Sequence, residues 1–223
     1  MAVAKRMTKE ELREDKVVTA LKELGEIAKE NSRTLVIIAI VVAVAIGAWM
    51  FVKQSRARAE ENASLSLAQA QKLYFDGRYT EAATQLESIL GDYGSTNAAK
   101  SIPLFLGNCK LAAGDAAGAK AAFETLSGKA GADPLLAAAA DRGIGAALSD
   151  QGDMTGAAES YRRAAQRADN PLAAEDWMAA GNAFLEAGKK DEATAAFQKV
   201  VSDYPTSQRA VEAKVRLAEV ESR

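Results

Sequence analysis

The sequence predicts an all-α protein in which a single membrane-spanning helix is followed by a solenoid of paired helices. Three observations predict this class. Residues 35–52 form an uncharged apolar run, and the residues that follow carry glycines at a regular spacing. The 223-residue composition is 48% hydrophobic, only 6% aromatic, and holds four prolines, which favours helix.

The apolar run at 35–52 has the sequence LVIIAIVVAVAIGAWMFV and carries no charged side chain. As a helix it would be about 27 Å long, close to the bilayer core of about 30 Å. Trp49 near its end and Lys53 just after it suit the membrane surface. The alternatives are a buried helix of a soluble protein and a cleaved signal peptide, although the polar segment before the run is longer than a usual signal-peptide n-region.

Small residues recur every fourth position within this run, at Ala39, Ala43 and Gly47. They predict a smooth helix face on which another transmembrane helix can pack. The alternative is that such residues are simply common in membrane helices. Orientation is not encoded by charge, because the Lys and Arg residues close to the run are equal in number on its two sides, four against four.

The segments on either side of the run are predicted to be helical. In residues 1–34, Thr8 and Glu11 form a capping box, and apolar residues at 17, 21, 24 and 28 predict an amphipathic arm. A loosely structured tail is the alternative for this arm. Residues 53–66 lack glycine and proline, so we expect a helical stalk rather than a flexible linker.

Residues 67–223 contain an internal period. Four glycines, Gly77, Gly114, Gly152 and Gly188, follow one another at intervals of 37, 38 and 36 positions. Three further positions repeat with them: small residues seven before (Ala70, Gly107, Gly145, Gly181), alanines five after (Ala82, Ala119, Ala157, Ala193), and large residues nine after (Leu86, Phe123, Tyr161, Phe197). The pattern predicts helical hairpins in which glycine makes the turn, small residues let the two helices touch, and the large residue fills the gap to the next hairpin. Residues 209–223 are predicted to form a polar-faced capping helix.

These residues resemble tetratricopeptide repeats, whose unit is about 34 residues long. The longer spacing here predicts extended turns between repeats, at Pro134, Pro171 and Pro205. The third repeat departs from the pattern, with Asp141 where tryptophan is usual. The whole layout resembles the bacterial ancillary translocon-subunit and cell-division-coordinator group. That resemblance implies a bacterial inner-membrane anchor, a cytoplasmic N-terminus and a periplasmic repeat domain.

The family resemblance also implies where a partner would bind, on the first helix of each repeat. The groove-facing positions lie ten, six, three and two residues before each turn glycine: Leu67, Gln71, Tyr74 and Phe75; Leu104, Asn108, Leu111 and Ala112; Arg142, Ala146, Ser149 and Asp150; and Met178, Asn182, Leu185 and Glu186. Asn108 and Asn182 share one position, which suggests hydrogen bonds to the backbone of an extended peptide; solvated side chains are the alternative. Leu104 and Met178 stand where a carboxylate clamp would need basic residues, so such a clamp is not expected.

The sequence offers little for catalysis. It has no histidine and one cysteine, Cys109, and it lacks a nucleophile elbow, a phosphate-binding loop and an H-x-x-x-H pair. We therefore expect no catalytic, metal or cofactor site and no small-molecule substrate. The acidic pair Glu175 and Asp176 is interpreted as suiting a helix dipole, and the basic patch Arg162, Arg163 and Arg167 as solvated.

These observations predict a membrane-spanning scaffold that holds other proteins, including membrane-embedded subunits, at the membrane surface. The repeat domain carries 17 basic and 21 acidic residues, so it is not expected to bind nucleic acid. An accessory structural subunit of a respiratory or photosynthetic membrane complex is the alternative. An enzyme that uses carboxylates alone is the least favoured hypothesis.

Overall fold

The computed structural model describes residues 32–131 and 133–222. The amphipathic arm expected over 1–34 lies almost wholly outside the described residues. By its internal contacts the chain divides into two units, 1–57 and 58–223, with the boundary inside the stretch expected to be a stalk. The described residues are helical and contain no strand, which confirms the all-α class.

The first helix, α1 (Ser32–Phe75), contains the apolar run. The large apolar side chains between residues 36 and 52 are exposed on every side of the helix, including Val41, Val44 and Phe51. Among the described residues it is the one helix long and apolar enough to cross a membrane. The ammonium of Lys53 lies 5.4 Å from the centre of the Trp49 ring, a cation–π contact one helical turn apart.

The second unit contains the C-terminal part of α1 and eight further α-helices. They are α2 (Tyr79–Tyr93), α3 (Ile102–Ala112), α4 (Ala116–Ala130), α5 (Pro134–Asp150), α6 (Met154–Ala165), α7 (Ala173–Glu186), α8 (Lys190–Asp203) and α9 (Gln208–Glu221), with a short 3-10 helix at Ala98–Ser101. Each helix from α2 to α9 packs on the next in chain order. Four hairpins result, formed by the C-terminal part of α1 with α2, α3 with α4, α5 with α6, and α7 with α8; α9 follows alone. This is the solenoid that the sequence predicts.

Each hairpin turns at its predicted glycine. The φ angles of Gly77, Gly114, Gly152 and Gly188 lie between 76° and 81°, a left-handed conformation that glycine adopts without steric cost. The four alanines that follow five residues later have no exposed surface. Small side chains there let the two helices of a hairpin approach closely, as expected.

The predicted large residue packs on the predicted small residue of its own hairpin. A Cβ atom added to Gly107 would lie 2.6 Å from the Phe123 ring, and one added to Gly181 would lie 2.5 Å from the Phe197 ring. The repeat pattern predicts the large residue only in the gap between hairpins. Phe123 fills both places, because its ring also lies against Gly143 of the next hairpin.

Two local expectations need correction. Pro134 does not lie in an extended turn: it is the first residue of α5, where Asp133 caps the helix by accepting hydrogen bonds from the Leu135 and Leu136 amides. Proline suits this position because its missing N–H would have no intrahelical partner there. The final helix ends at Glu221, and its exposed surface includes Val211 and Val215, so it is less polar than expected.

Candidate functional site

The expected groove residues lie on the first helix of each hairpin and differ in exposure. Phe75 is 82% exposed, the highest value among the large apolar side chains described. Most of the others are half-buried: Tyr74, Leu104, Asn108, Leu111, Arg142, Asn182 and Leu185. Met178 is different, since only 4% of it is exposed and it packs within the core of the fourth hairpin. The structure therefore places Met178 in the core rather than on an open surface.

An aromatic cluster marks the turn of the first hairpin. The Tyr74 ring lies edge-on to Phe75 and to Tyr79, with ring centres 5.7 and 5.3 Å apart. Tyr74 packs against the buried residues beneath it, whereas Phe75 projects into solvent. A supported, exposed aromatic ring is the kind of side chain that anchors protein interfaces.

The amides of Asn108 and Asn182 make no hydrogen bond to other described side chains or backbone, although both residues are half-buried. Asn170 shows the contrast. Its side-chain nitrogen donates to the Ala164 carbonyl at 2.7 Å and to Asp176 at 2.8 Å. A half-buried amide without a protein partner retains its capacity for a ligand's backbone groups.

A cleft of about 460 Å³ opens beside Asn182, between α7, the start of α8, and α9. Leu185 and Val220 are its apolar lining residues, and charged side chains line the rest: Glu186, Lys190, Arg216 and Glu219. The expected groove residues Asn182 and Leu185 therefore share a concave site with the final helix. The sequence pattern did not indicate α9 as part of this site, because its many charged residues are typical of a cap.

Arg142 forms an ion pair with Asp176 inside the repeat domain. Its Nε and one Nη atom lie 2.6 and 2.7 Å from the two carboxylate oxygens of Asp176, a bidentate pair between α5 and α7. Asp176 is 1% exposed, so its helix-dipole interpretation from sequence was incomplete. The Asn170 amide completes the carboxylate's partners. Neither Asp176 nor Asn170 was predicted to interact with Arg142, which lies on the preceding hairpin.

The basic patch at the C-terminal end of α6, formed by Arg162, Arg163 and Arg167, also makes contacts within the fold. Arg167 donates to Asp141 through Nε at 2.9 Å and through an Nη atom at 2.7 Å, and Arg163 lies 3.4 Å from the same carboxylate. Asp141 is 3% exposed. Arg163 and Arg167 are therefore only partly solvated: their side chains are 49% and 39% exposed, yet both neutralise the buried carboxylate that replaces the usual tryptophan.

A second cleft, of about 550 Å³, was not indicated by any sequence pattern. It lies between α6 and α8, with Trp177 and Phe184 of α7 among its lining residues. The small side chains of Ala195 and Ala196 on α8 leave this space open. Only the packing of three helices from two hairpins creates it, so residue spacing alone could not show it.

Burial raises the pKa of two titratable side chains inside the helical hairpins. Burial raises the pKa of the Cys109 thiol above its usual value. Burial likewise raises the pKa of the Tyr161 phenol. Both effects disfavour the charged, reactive forms. No group of three acidic or cysteine side chains suited to a metal ion occurs in residues 32–131 and 133–222.

Comparison with known proteins identifies the same kind of helical-repeat fold that the structure shows. The model of the tetratricopeptide repeat-like domain family matches residues 27–221. The chain belongs to that family, and the match includes the apolar run of α1. Repeats of this kind generally bind other proteins.

Two solved structures show the same fold. One is the crystal structure of a putative kinesin light chain with nearly identical TPR-like repeats from Podosopora anserina, and the other is a methionine-substituted variant of that protein. Each has a TM-score of 0.59 and 15% sequence identity, covers 73% of this chain, and is itself covered over 87% and 86% of its length. At this identity the likeness concerns the fold alone. No curated protein matches the chain in sequence.

Proposed function

We propose that the protein is a membrane-anchored scaffold whose repeat groove holds a partner protein at the membrane surface. The observation that carries the proposal is the combination of an apolar helix segment, exposed on all sides, with a repeat surface that offers exposed apolar groups and unpartnered amides.

The anchor is supported by the side chains of α1 between 36 and 52. None of the most apolar stretch of this helix is buried. Such a stretch is unfavourable in water, at about 25 cal/mol per Å² of apolar surface, and favourable in a bilayer. Membranes washed with carbonate at high pH should retain the wild-type protein. The variant with Val41→Asp and Val44→Asp should be released, whereas Val211→Asp, which changes an exposed valine outside the span, should be retained.

The groove is supported by the residues that a peptide would meet on the second and fourth hairpins. In this proposal the amides of Asn108 and Asn182 bond the backbone of an extended peptide, and Leu111 and Leu185, one helical turn further along, contact its apolar side chains. We infer a partly apolar peptide segment without net charge as the ligand, because Arg142 is already neutralised by Asp176 and the cleft beside Asn182 is lined by two acidic and two basic side chains.

Purification of the full chain in mild detergent tests the groove. A partner should be retained by the wild type and lost, by about tenfold or more, when Asn108 and Asn182 are both changed to alanine. Phe75→Ala should weaken retention as well. Asn62→Ala and Leu65→Ala, which change exposed residues elsewhere on α1, are the matched controls and should retain the partner. Absence of any stable partner of the wild type contradicts the proposal.

The proposed location is the bacterial inner membrane, with the N-terminus in the cytoplasm and the repeats in the periplasm, close to the protein-export machinery. This location rests on the resemblance in layout to the ancillary translocon-subunit group. Ser95 is exposed in the loop before the 3-10 helix, so a Ser95→Cys variant provides a labelling site outside the core. A membrane-impermeant maleimide should label it in intact spheroplasts. Labelling only after the inner membrane is opened would contradict this orientation.

The second candidate function is a structural subunit of a larger membrane complex. The feature that favours it is the line of small residues Ala39, Ala43 and Gly47 on an exposed helix face, where a Cβ atom added to Gly47 would meet no atom of this chain within 4 Å. Gly47→Leu therefore fits within this chain, and any effect reports on a neighbouring helix. Loss of the protein from a large complex would support a subunit that packs through Ala39, Ala43 and Gly47. Unchanged assembly would contradict it.

A further inference from the structure

The final helix α9 carries an open line of small apolar side chains. Val211 and Val215 are 68% and 54% exposed, and Ala218 is exposed as well. Their spacing of four and three residues places them on one helix face. The opposite face is buried through Ala210 and Ala213. Helix α9 therefore has one face packed on the preceding hairpin and a second face that no other described residue covers.

The repeat register indicates what kind of element packs on this face in the other hairpins. When the two helices are aligned on the prolines that precede them, α9 repeats α7, so that Val211 stands in the place of Trp177 and Val215 in the place of Gly181. In the fourth hairpin this face lies beneath α8, where the Phe197 ring is 2.5 Å from the position of a Cβ atom on Gly181. The open line of α9 is therefore the face that, in a complete hairpin, binds a second helix running antiparallel.

The charges beside this line are self-complementary. Lys214 and Glu221 lie on one side of it, two helical turns apart, both exposed and neither in an ion pair with another described residue. The two acidic side chains on the other side, at positions 212 and 219, each pair with an arginine three residues earlier, at 2.8 and 3.0 Å. One side of the line is thus neutral, and the other offers one positive and one negative group.

We propose that α9 is a homodimer interface, on which the same helix of a second copy lies antiparallel. An antiparallel pair brings the lysine of each copy beside the glutamate of the other, so that Lys214 meets Glu221 twice across a two-fold axis. The same arrangement sets Val215 of each copy against Ala218 of the other, and these small side chains allow close approach of the two helices. The dimer joins two repeat domains through their final helices and leaves the first hairpins free.

Carbodiimide cross-linking of the full chain in mild detergent tests the contact directly. This reagent joins a lysine to a glutamate in contact, and a mixture of unlabelled and ¹⁵N-labelled copies distinguishes links between copies from links within one. The proposal expects a Lys214–Glu221 link of mixed isotope composition. Lys214→Arg should abolish this link and keep the dimer. Absence of a mixed-isotope link at these residues from the wild type overturns the proposal.

Sedimentation of the same preparations tests the energetics. Val215→Glu should weaken dimerisation by about tenfold or more, because it places a charge on the contact line. Leu135→Glu changes a leucine that is 51% exposed on α5 and should leave the dimer unchanged. Lys214→Glu and Glu221→Lys should each weaken the dimer, and the double variant should restore it, since the charges are then exchanged. A monomeric wild type at every concentration, or no effect of Val215→Glu, overturns the proposal whether or not the membrane scaffold is correct.

Discussion

The guanidinium of Arg142 binds the carboxylate of Asp176 through two hydrogen bonds of 2.6 and 2.7 Å, which join the third hairpin to the fourth. The side chain of Asp176 is 2% exposed and that of Arg142 is 30% exposed. Solvent and salt therefore screen the charge of the Asp176 carboxylate only weakly. The pair fixes how two neighbouring repeats stack, and it engages a residue that the family resemblance assigns to the groove.

Arg142→Ala should destabilise the repeat domain by about 3 kcal/mol, because it leaves a buried carboxylate without its cation. The measurement is the urea concentration at the midpoint of unfolding, followed by circular dichroism. Arg78→Ala is the matched control, since it removes an exposed ion pair with Glu81 and should leave the midpoint unchanged. An equal effect of both variants would contradict the structural role assigned to Arg142.

Gly181→Ala should destabilise the protein by about 1–3 kcal/mol, because the new methyl group overlaps the buried Phe197 ring. Gly128→Ala is the control within a helix. Nothing lies within 4 Å of a Cβ atom there, so this variant should stabilise α4 by about 0.5–1 kcal/mol. Thermal unfolding of the two variants should shift in opposite directions. Shifts in the same direction would contradict the close packing of Gly181.

Glu60 should stabilise the loop that precedes the second hairpin. Its two carboxylate oxygens accept hydrogen bonds from the backbone amides of Asn97 and Ala98 at 2.7 and 2.8 Å, which caps the 3-10 helix. Glu60→Ala should cost about 1–2 kcal/mol and speed hydrogen exchange at these amides. Glu61→Ala changes the exposed neighbouring residue and should do neither. Unchanged exchange at Asn97 in the Glu60 variant would disprove the cap.

Cys109 should react slowly with thiol reagents in the folded protein. The side chain is buried, and burial raises its pKa, so the thiolate is scarce at neutral pH. The pKa of the thiol is higher in the folded than in the unfolded protein. Its contribution to the free energy of unfolding is therefore fully present below the unfolded pKa and is lost as the pH rises through the folded pKa. Labelling with a chromogenic disulfide should be slow at pH 7 and rapid in denaturant. Rapid labelling of the folded protein would contradict the burial of Cys109.

The sequence was sufficient for the fold because its repeated positions are governed by local sterics. A left-handed turn favours glycine, and close helix contact requires alanine or glycine, so the roles of Gly188 and Ala193 can be predicted without a structure. The long apolar segment is equally predictable, since length and composition define it.

The candidate site was less predictable, because it depends on side chains brought together from different hairpins. Nothing in the spacing shows that Arg142 turns toward Asp176, or that Met178 lies in the core. The cleft between α7 and α9 and the open face of α9 arise from the way successive hairpins stack. The positions of Asn108 and Asn182 were predictable from the repeat register. Only the packed structure shows that their amides have no hydrogen-bond partner among the described residues.

The most direct measurement of the central claim is site-specific photo-cross-linking in intact cells. A photoreactive amino acid replaces Phe75 or Leu185 in the proposed groove, and replaces Leu65 or Leu135 as exposed controls outside it. We expect a discrete adduct with another protein, recovered in the membrane fraction, from the groove positions and not from the controls. Equal adducts at all four positions, no adduct in the groove, or recovery of the protein in the soluble fraction would contradict a membrane-held scaffold.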